Sequence, residues 1–442
     1  MILPDYVARC LDRLEQAGFA AYAVGGCVRD AVLGLTPHDY DLCTAALPEQ
    51  TRAVFQDHSL ILAGLKHGTV GVITEGGVVE ITTFRTEGGY TDSRHPGWVE
   101  FVPRIEEDLA RRDFTVNAMA YSPKRGFADP FGGREDLNNH ILRAVGDPET
   151  RFREDALRIL RGARFAARFR LMPEEKTLAA MCRLTPLLED LARERVFEEL
   201  CKLIALADAS DLLRFGPVVA GAIPELGVQM GFDQRSPHHA YDLYTHTCHV
   251  VEAVPEDLTL RWAALLHDVG KPGCFTLDET GRGHFYGHAD AGATLADSIL
   301  RRLKAPTALR ERAVLLIGLH MTRLEPDKRI LRRRLSRLGP ELLEQLLALQ
   351  TADMGSKGTG NAEEMEQFPQ IRQILEEIYA ENACLSLKDL AVNGHDLMAL
   401  GFTGQAIGAC LNRLLELVME EALPNERTAL LAAAVEFEKS KP

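Results

Sequence analysis

The sequence predicts an α+β chain, a small sheet-bearing head followed by segments that are helical throughout. Short, turn-bounded apolar runs at residues 20–24, 40–43, 68–73 and 78–85 read as strands, all in the first fifth of the chain. After residue 146 the apolar residues recur at helical spacing instead. With 442 residues, 46% apolar and 26% charged, the chain can bury several cores, and three or four compact units are expected.

The elements follow in order. Residues 4–18 form an amphipathic helix that leads into the strand at 20–24, which ends at Gly25 and Gly26. Residues 28–33 then have helical spacing, with Gly34 as a stop and Pro37 beyond it. A strand that turns through glycines into a helix N-terminus presents bare backbone N–H groups suited to phosphate, and Arg29 adds a fixed charge. The next strand carries Asp39 and Asp41, two residues apart and therefore expected on one face of the sheet. Two carboxylates on a rigid face can hold a pair of Mg²⁺ ions for phosphoryl or nucleotidyl transfer. The plainer readings are a solvated strand end and a tight turn. A helix at 48–54 and a β-rich pair around residues 75–77 follow, with Glu80 a candidate third metal ligand or an Arg-paired carboxylate. Residues 88–99 are polar and turn-rich and read as a mobile loop.

Composition narrows the function classes. Nine cysteines without a C-x-x-C spacing read as reduced thiols rather than a disulfide or zinc framework, which predicts a cytoplasmic protein. No signal peptide and no run of about 18 apolar residues is present, so a soluble chain without membrane partners is expected. The net charge of −14 argues on its face against a nucleic-acid substrate. Arginine is nevertheless clustered at residues 151–170 and 323–337, where local basic faces can meet RNA or simply face solvent.

Three further stretches carry chemistry. In LARRDFTVNAMAY, Arg112 can neutralise a triphosphate, and Asp113 and Asn117, expected one turn apart on a helix, can hold a ribose hydroxyl. An Arg–Asp pair with a capping Asn is the structural alternative. In FREDALRILRGARF, Asp155 and Arg158 are expected on one helix face, with Arg161 and Arg164 continuing the row. An acceptor and a donor held side by side imitate a Watson–Crick partner for cytosine and adenine, whereas guanine and uracil reverse the requirement. An ordinary ion-paired helix is the alternative. Residues 193–204 read as a helix in which Arg195 and Glu198 pack. Further on, His246, His267, Asp268, His288, His320 and Asp353 form an ordered set, with Lys271 nearby. Imidazoles and carboxylates suit a divalent transition metal that generates hydroxide for attack on phosphate.

The stretch GGCVRDAVLGLTPHDYD resembles the signature of polymerase-β-like nucleotidyltransferases, and in this form that of class II tRNA nucleotidyltransferases and bacterial poly(A) polymerases. RRDFTVNA and EDALRILRGARF are similar to further class II segments, with Gly162 in place of a more usual Ala. The His-Asp set resembles the HD phosphohydrolase superfamily. The tail at 392–415, expected as two short helices broken by glycines, is similar to the C-terminal domain of CCA-adding enzymes.

The resemblance implies a mixed-sheet head at 1–145, a helical neck at 146–225, an HD-type body at 226–355 and a tRNA-gripping tail at 360–442. The body is expected to be all helical, with a Gly-rich linker at 353–361 and an acidic helix at 363–381. It also implies CCA addition to tRNA from CTP and ATP, with Asp39 and Asp41 binding Mg²⁺ and catalysing. Gly26, Arg29, Arg112, Asp113, Asn117, Asp155, Arg158, Arg161 and Arg164 would bind nucleotide. The HD set would bind a second kind of divalent metal and give a further phosphohydrolase activity. A poly(A) polymerase, a CC-only or A-only enzyme, and an HD phosphohydrolase with an RNA-binding head stay open. Oligomeric state is not legible.

Overall fold

The computed structural model describes residues 1–88, 97–237, 239–358, 362–381 and 383–439. It divides into two units, Met1–Val228 with Ile299–Ala305, and Gln229–Ser298 with Pro306–Pro442.

In the first unit the helix Asp5–Gln16 buries Val7, Cys10, Leu11 and Leu14 at helical spacing and packs on the first strand. Strands β1 (Ala21–Val24), β2 (Asp41–Thr44), β3 (Leu60–Ile61), β4 (Thr69–Thr74) and β5 (Gly77–Thr83) come next. A separate ladder pairs β6 (Arg85–Gly88) with β7 (Trp98–Phe101), and β8 (Ala120–Ser122) and β9 (Gly126–Ala128) complete the set. The main sheet runs β3-β4-β5-β2-β1-β8-β9. Its β2–β5 pair is parallel and its other pairs are antiparallel, so the sheet is mixed, as expected. One face covers a core that includes Val24, Cys43, Phe84, Leu109 and Ala120. The register Asp41↔Glu80 places both residues on one face of neighbouring strands.

The helices that follow are Pro148–Glu154, Leu157–Phe169 and Arg193–Ile204. The second of these carries a broad buried stripe from Leu157 to Ala167 and packs on the third. The second unit holds the helices Leu243–Ala253, Leu258–Leu266, Thr307–Leu319, Lys328–Leu338 and Pro340–Gly355, around cores such as Leu331, Leu343, Leu347, Phe368 and Ile371. The helix His288–Arg302 begins within it.

Several expectations are corrected. Asp39 precedes β2 rather than lying on it, because the chain after Pro37 becomes a regular strand only at Asp41. Asp155 is not helical; it sits extended (φ −140°, ψ 101°) between two helices and so shares no helix face with Arg158. Asn117 ends a 3₁₀ turn, Thr115–Asn117, which Asp113 precedes, and neither lies on an α-helix. The helix Pro340–Gly355 includes Asp353, so the linker starts later than the glycine content suggested. The acidic stretch is two helices, Ala362–Met365 and Gln367–Ala380. In the tail, Gln405–Met419 passes through Gly408 unbroken, because its buried row Cys410, Leu414, Leu415 and Met419 outweighs one glycine's propensity cost. The middle of the chain is not wholly helical, since Thr276–Leu277 and Gly283–His284 form a hairpin.

Of the loop expected at 88–99, residues 89–96 lie outside the described residues, while Gly88 and Trp98 pair across the β6–β7 ladder. All nine cysteines are free thiols. Among the described residues no helix is long and apolar enough to cross a membrane.

Candidate active site and a second, histidine-rich cluster

A cavity of about 480 Å³ opens beside the N-terminus of the short helix Gly26–Val32. Its wall holds Gly25, Gly26, Arg29, Asp41, Arg112, Asp113, Asn117, Asp155, Arg158, Arg161 and Arg164. The structure thus brings together every residue that the sequence assigned to nucleotide binding. Asp39 is exposed and absent from the wall, although its charge is felt by Asp41.

Gly25 caps the helix at φ +71°, and a Cβ there would lie 2.7 Å from Arg112 Nη1. Glycine therefore serves both the left-handed backbone and the approach of that guanidinium. Arg29 donates from Nε and Nη2 to Asp30 Oδ1 (2.8 and 2.6 Å) and from Nη1 to Asn117 Oδ1 (2.6 Å). Arg161 donates to Asp113 Oδ2 from Nε (3.0 Å) and Nη2 (2.7 Å), while Asn117 Nδ2 and the Phe114 amide donate to Asp113 Oδ1. Burial pushes the Asp113 carboxyl up, but Arg161 and these donors outweigh it and its pKa falls to about 2. Arg158 donates to Glu154 Oε2 (2.8 Å) and to the Arg111 carbonyl, and Arg164 to Glu199 Oε2 (2.6 Å). Asp155 accepts from the Leu157 amide and, at 3.4 Å, from Arg195.

The wall carries eight arginines and three aspartates, so the face it offers is cationic despite a net charge of −14 for the chain. At its edge the signs reverse. Burial raises the pKa of Asp41, whose tip still reaches solvent, and the charges of Glu80 and Asp39 raise it further against the pull of Arg112. Asp39, Asp41 and Glu80 are near enough for their charges to interact but, among the described residues, are not a group of three whose ligand atoms lie within 4.8 Å of one another.

Sequence reasoning missed Arg111 and Arg168 and gave Arg195 a packing role; all three line the cavity. Arg195 Nη1 and Arg112 Nε are buried without a hydrogen-bond partner among the described residues. Glu199, which interrupts the apolar row Val196, Leu200, Leu203, signals a buried counter-charge, but that counter-charge is Arg164 and not Arg111, Arg168 or Arg195.

The second unit brings His246, His267, Asp268, His288, His320 and Asp353 together, again as the sequence suggested. Asp268 Oδ2 lies 3.1 Å from His267 Nε2 and 3.7 Å from His246 Nε2. Its Oδ1 lies 3.5 Å from His288 Nε2 and 3.8 Å from His320 Nε2. Asp353 Oδ1 is 3.1 Å from His246 Nε2, and Lys271 Nζ is 2.7 Å from Asp268. Each ring turns its Nδ1 to a backbone carbonyl: His246 to Ser356, His267 to Ala264, His288 to Phe285 and His320 to Ile317. A carbonyl only accepts, so each Nδ1 carries a proton and turns its Nε2 inward; burial pulls the pKa of His267 down, but Asp268 and Asp353 outweigh it and raise it. A His nitrogen and an Asp oxygen 3.1 Å apart need a proton or a metal cation between them. His246 Nε2 and His267 Nε2 are buried without hydrogen bonds among the described residues, which fits metal ligation, while Asp268 Oδ2 also meets the Lys271 ammonium. Burial lowers the pKa of His320 to about 4, keeping that ring neutral and able to ligate. Two groups of three, His246–His267–Asp268 and Asp268–His288–His320, each have ligand atoms within 4.8 Å of one another.

Residues 21–143, which carry the glycine turn and the carboxylate edge, match the Poly A polymerase head domain. Residues 171–214 match a family described as an RNA and SrmB-binding site of polymerase A, and residues 288–434 match tRNA nucleotidyltransferase domain 2. Part of the chain is similar in sequence to CCA-adding enzymes. That of Limosilactobacillus fermentum is 48% identical over 194 residues, 44% of this chain and 48% of the relative; that of Streptococcus thermophilus is 50% identical over the same shares. The chain thus spans about half the length of the curated relatives it matches. Among solved structures it is similar to the Bacillus stearothermophilus CCA-adding enzyme in complex with CTP, at 27% identity and TM-score 0.66 over 99% of each chain. The Thermotoga maritima CCA-adding enzyme complexed with tRNA_CCA shares the fold, at 19% identity and TM-score 0.63 over 99% of this chain and 96% of that one.

The Asp113–Arg161 pair has a measurable consequence in acid. A carboxyl depressed from its unfolded value near 4 to about 2 stabilises the fold above pH ~4, and that contribution is lost as pH falls through ~2. Acid unfolding of Asp113→Asn, followed by circular dichroism, should lack the part of the wild-type slope between pH ~4 and ~2.

Proposed function

We propose that the chain adds CCA to the 3′ end of tRNA from CTP and ATP, without a nucleic-acid template. The observation that carries this reading is the single cavity in which a cationic wall, a carboxylate edge and an acceptor–donor pair meet. The backbone N–H groups at Gly25 and Gly26, with Arg29 and Arg112, hold the triphosphate. Asp113 and Asn117 fix Arg161 and Arg29 and stand beside the ribose. Arg158, pinned by Glu154 and the Arg111 carbonyl, donates to the base while Asp155 accepts from its exocyclic amine, a choice met by C and A. The break in the helix at Asp155 frees that carboxylate from the helix row and lets it face the cavity with Arg195 behind it.

Asp41, with Asp39 and Glu80 beside it, would hold Mg²⁺. When bound there, the ions lower the pKa of the RNA 3′-hydroxyl and neutralise the leaving pyrophosphate. The tail would grip the tRNA and the protein would work in the cytoplasm.

A second reading concerns the other unit. Its histidine–aspartate cluster is that of an HD-type domain, and His246, His267, Asp268 and Asp353, with His288 and His320, would hold divalent transition metal. Such a centre supplies a hydroxide for hydrolysis of a phosphate ester. Lys271 stands against Asp268 as a cation for the departing charge.

Purified protein with Mg²⁺ and tRNA lacking CCA should add two nucleotides from CTP and a third only when ATP is supplied, resolved at single-nucleotide length. A stop at CC makes it a CC-adding enzyme, A addition alone an A-adding one, and a long A ladder a poly(A) polymerase; no extension leaves the HD site as the activity. Asp41→Ala should lower addition of every nucleotide by at least ~10³-fold with an unchanged melting temperature. Asp155→Ala should relax base choice, read as misincorporation of U or G raised at least tenfold, about 1.4 kcal/mol of discrimination. Asp268→Ala should lose bound divalent metal, measured by elemental analysis, and any phosphatase activity, while CCA addition persists.

A further inference from the structure

Four guanidinium groups of the cavity lie against two aromatic rings. Phe165 and Phe169 are one turn apart on the helix Leu157–Phe169 and stack with centroids 6.1 Å apart and planes 25° from parallel. Arg29 sits 5.3 Å from the Phe165 centroid and 4.2 Å from that of Phe169. Arg161 and Arg164 lie 5.1 and 4.2 Å from Phe165, and Arg168 lies 5.1 Å from Phe169. A ring face attracts a cation through its quadrupole but brings no negative charge of its own. Arg29, Arg161 and Arg164 also pair with Asp30, Asp113 and Glu199, so for them the ring adds to an ion pair, whereas a ring alone leaves the field of a guanidinium uncancelled. Arg168 shows the difference most plainly. Among the described residues it has a ring beneath it and no carboxylate partner.

We propose that Phe165 and Phe169 are positioning residues for nucleotide binding, the ring pair steadying the ion-paired Arg29, Arg161 and Arg164 from a second side and holding Arg168 toward the polyphosphate with its charge intact. The inference rests on the nucleotide-binding reading of this cavity. Phe165 is buried, so its replacement would also disturb the core; Phe169 is half-buried and is the position to test. Phe169→Leu keeps apolar bulk and removes the π face, whereas Phe169→Tyr keeps the face.

The experiment measures binding of CTP and of inorganic pyrophosphate to the full chain by calorimetry, without tRNA, alongside steady-state C addition and melting temperature. Phe169→Leu should weaken binding of both probes about fivefold to tenfold and raise KM for CTP with little change in kcat, at an unchanged melting temperature. Phe169→Tyr should restore wild-type values. Binding by Phe169→Leu as tight as wild type, or equal weakening in the Leu and Tyr variants, would overturn the proposal. A wild-type chain with no affinity for CTP would instead overturn the nucleotide-binding reading on which it rests.

Discussion

The pair of buried Asp113 and half-buried Arg161 is the contact on which the cavity depends. One partner comes from the head, in the segment before β8, and the other from the helix that follows it. An unpaired Asp113 carboxylate at this depth would cost several kcal/mol, so the two segments meet in one arrangement or leave that charge stranded. Asn117 bonds both Asp113 and Arg29, and so the pair also sets the arginine beside the glycine turn. A network of this kind fixes geometry more than it adds stability. Every member has a partner, which is the condition under which buried polar groups specify a single packing.

The same logic reconciles an acidic protein with anionic ligands. Behind the eight arginines of the wall stand Asp30, Asp108, Glu154 and Glu199, each ion-paired to a wall arginine. These carboxylates lie on the protein side, and the guanidinium faces remain toward the cavity. Net charge therefore describes the whole surface, and the ligand meets only the part of it that the pairs turn outward.

Much of this was legible in the sequence. Strand periodicity, the Gly25–Gly26 turn, and the type and order of the acids, arginines and histidines gave the mixed-sheet head and both clusters. Local geometry was less legible. The break at Asp155 cannot be read from i,i+3 spacing, because a helix and a kinked helix pair share that spacing until the side chain at the break finds a partner in another element, here Arg195. Nor does spacing separate a 3₁₀ turn from an α-helix at Asp113–Asn117, where the same i,i+4 contact forms in either. Arg195 and Arg168 were hidden for a related reason. What places them in the cavity is the packing of one helix on another, and no local pattern encodes that.

The parallel pairing of β2 with β5 fixes how much of the chain the carboxylate edge requires. Parallel neighbours need a crossover, and here the intervening chain must make β3, β4 and the turn at Glu75 and Gly76 before Asp41 and Glu80 come into register. Closing a loop of that length carries an entropic cost that local structure does not repay. The acidic edge therefore needs the whole span from Asp41 to Glu80 in place, whereas the glycine turn and Arg29 belong to one local strand–helix unit.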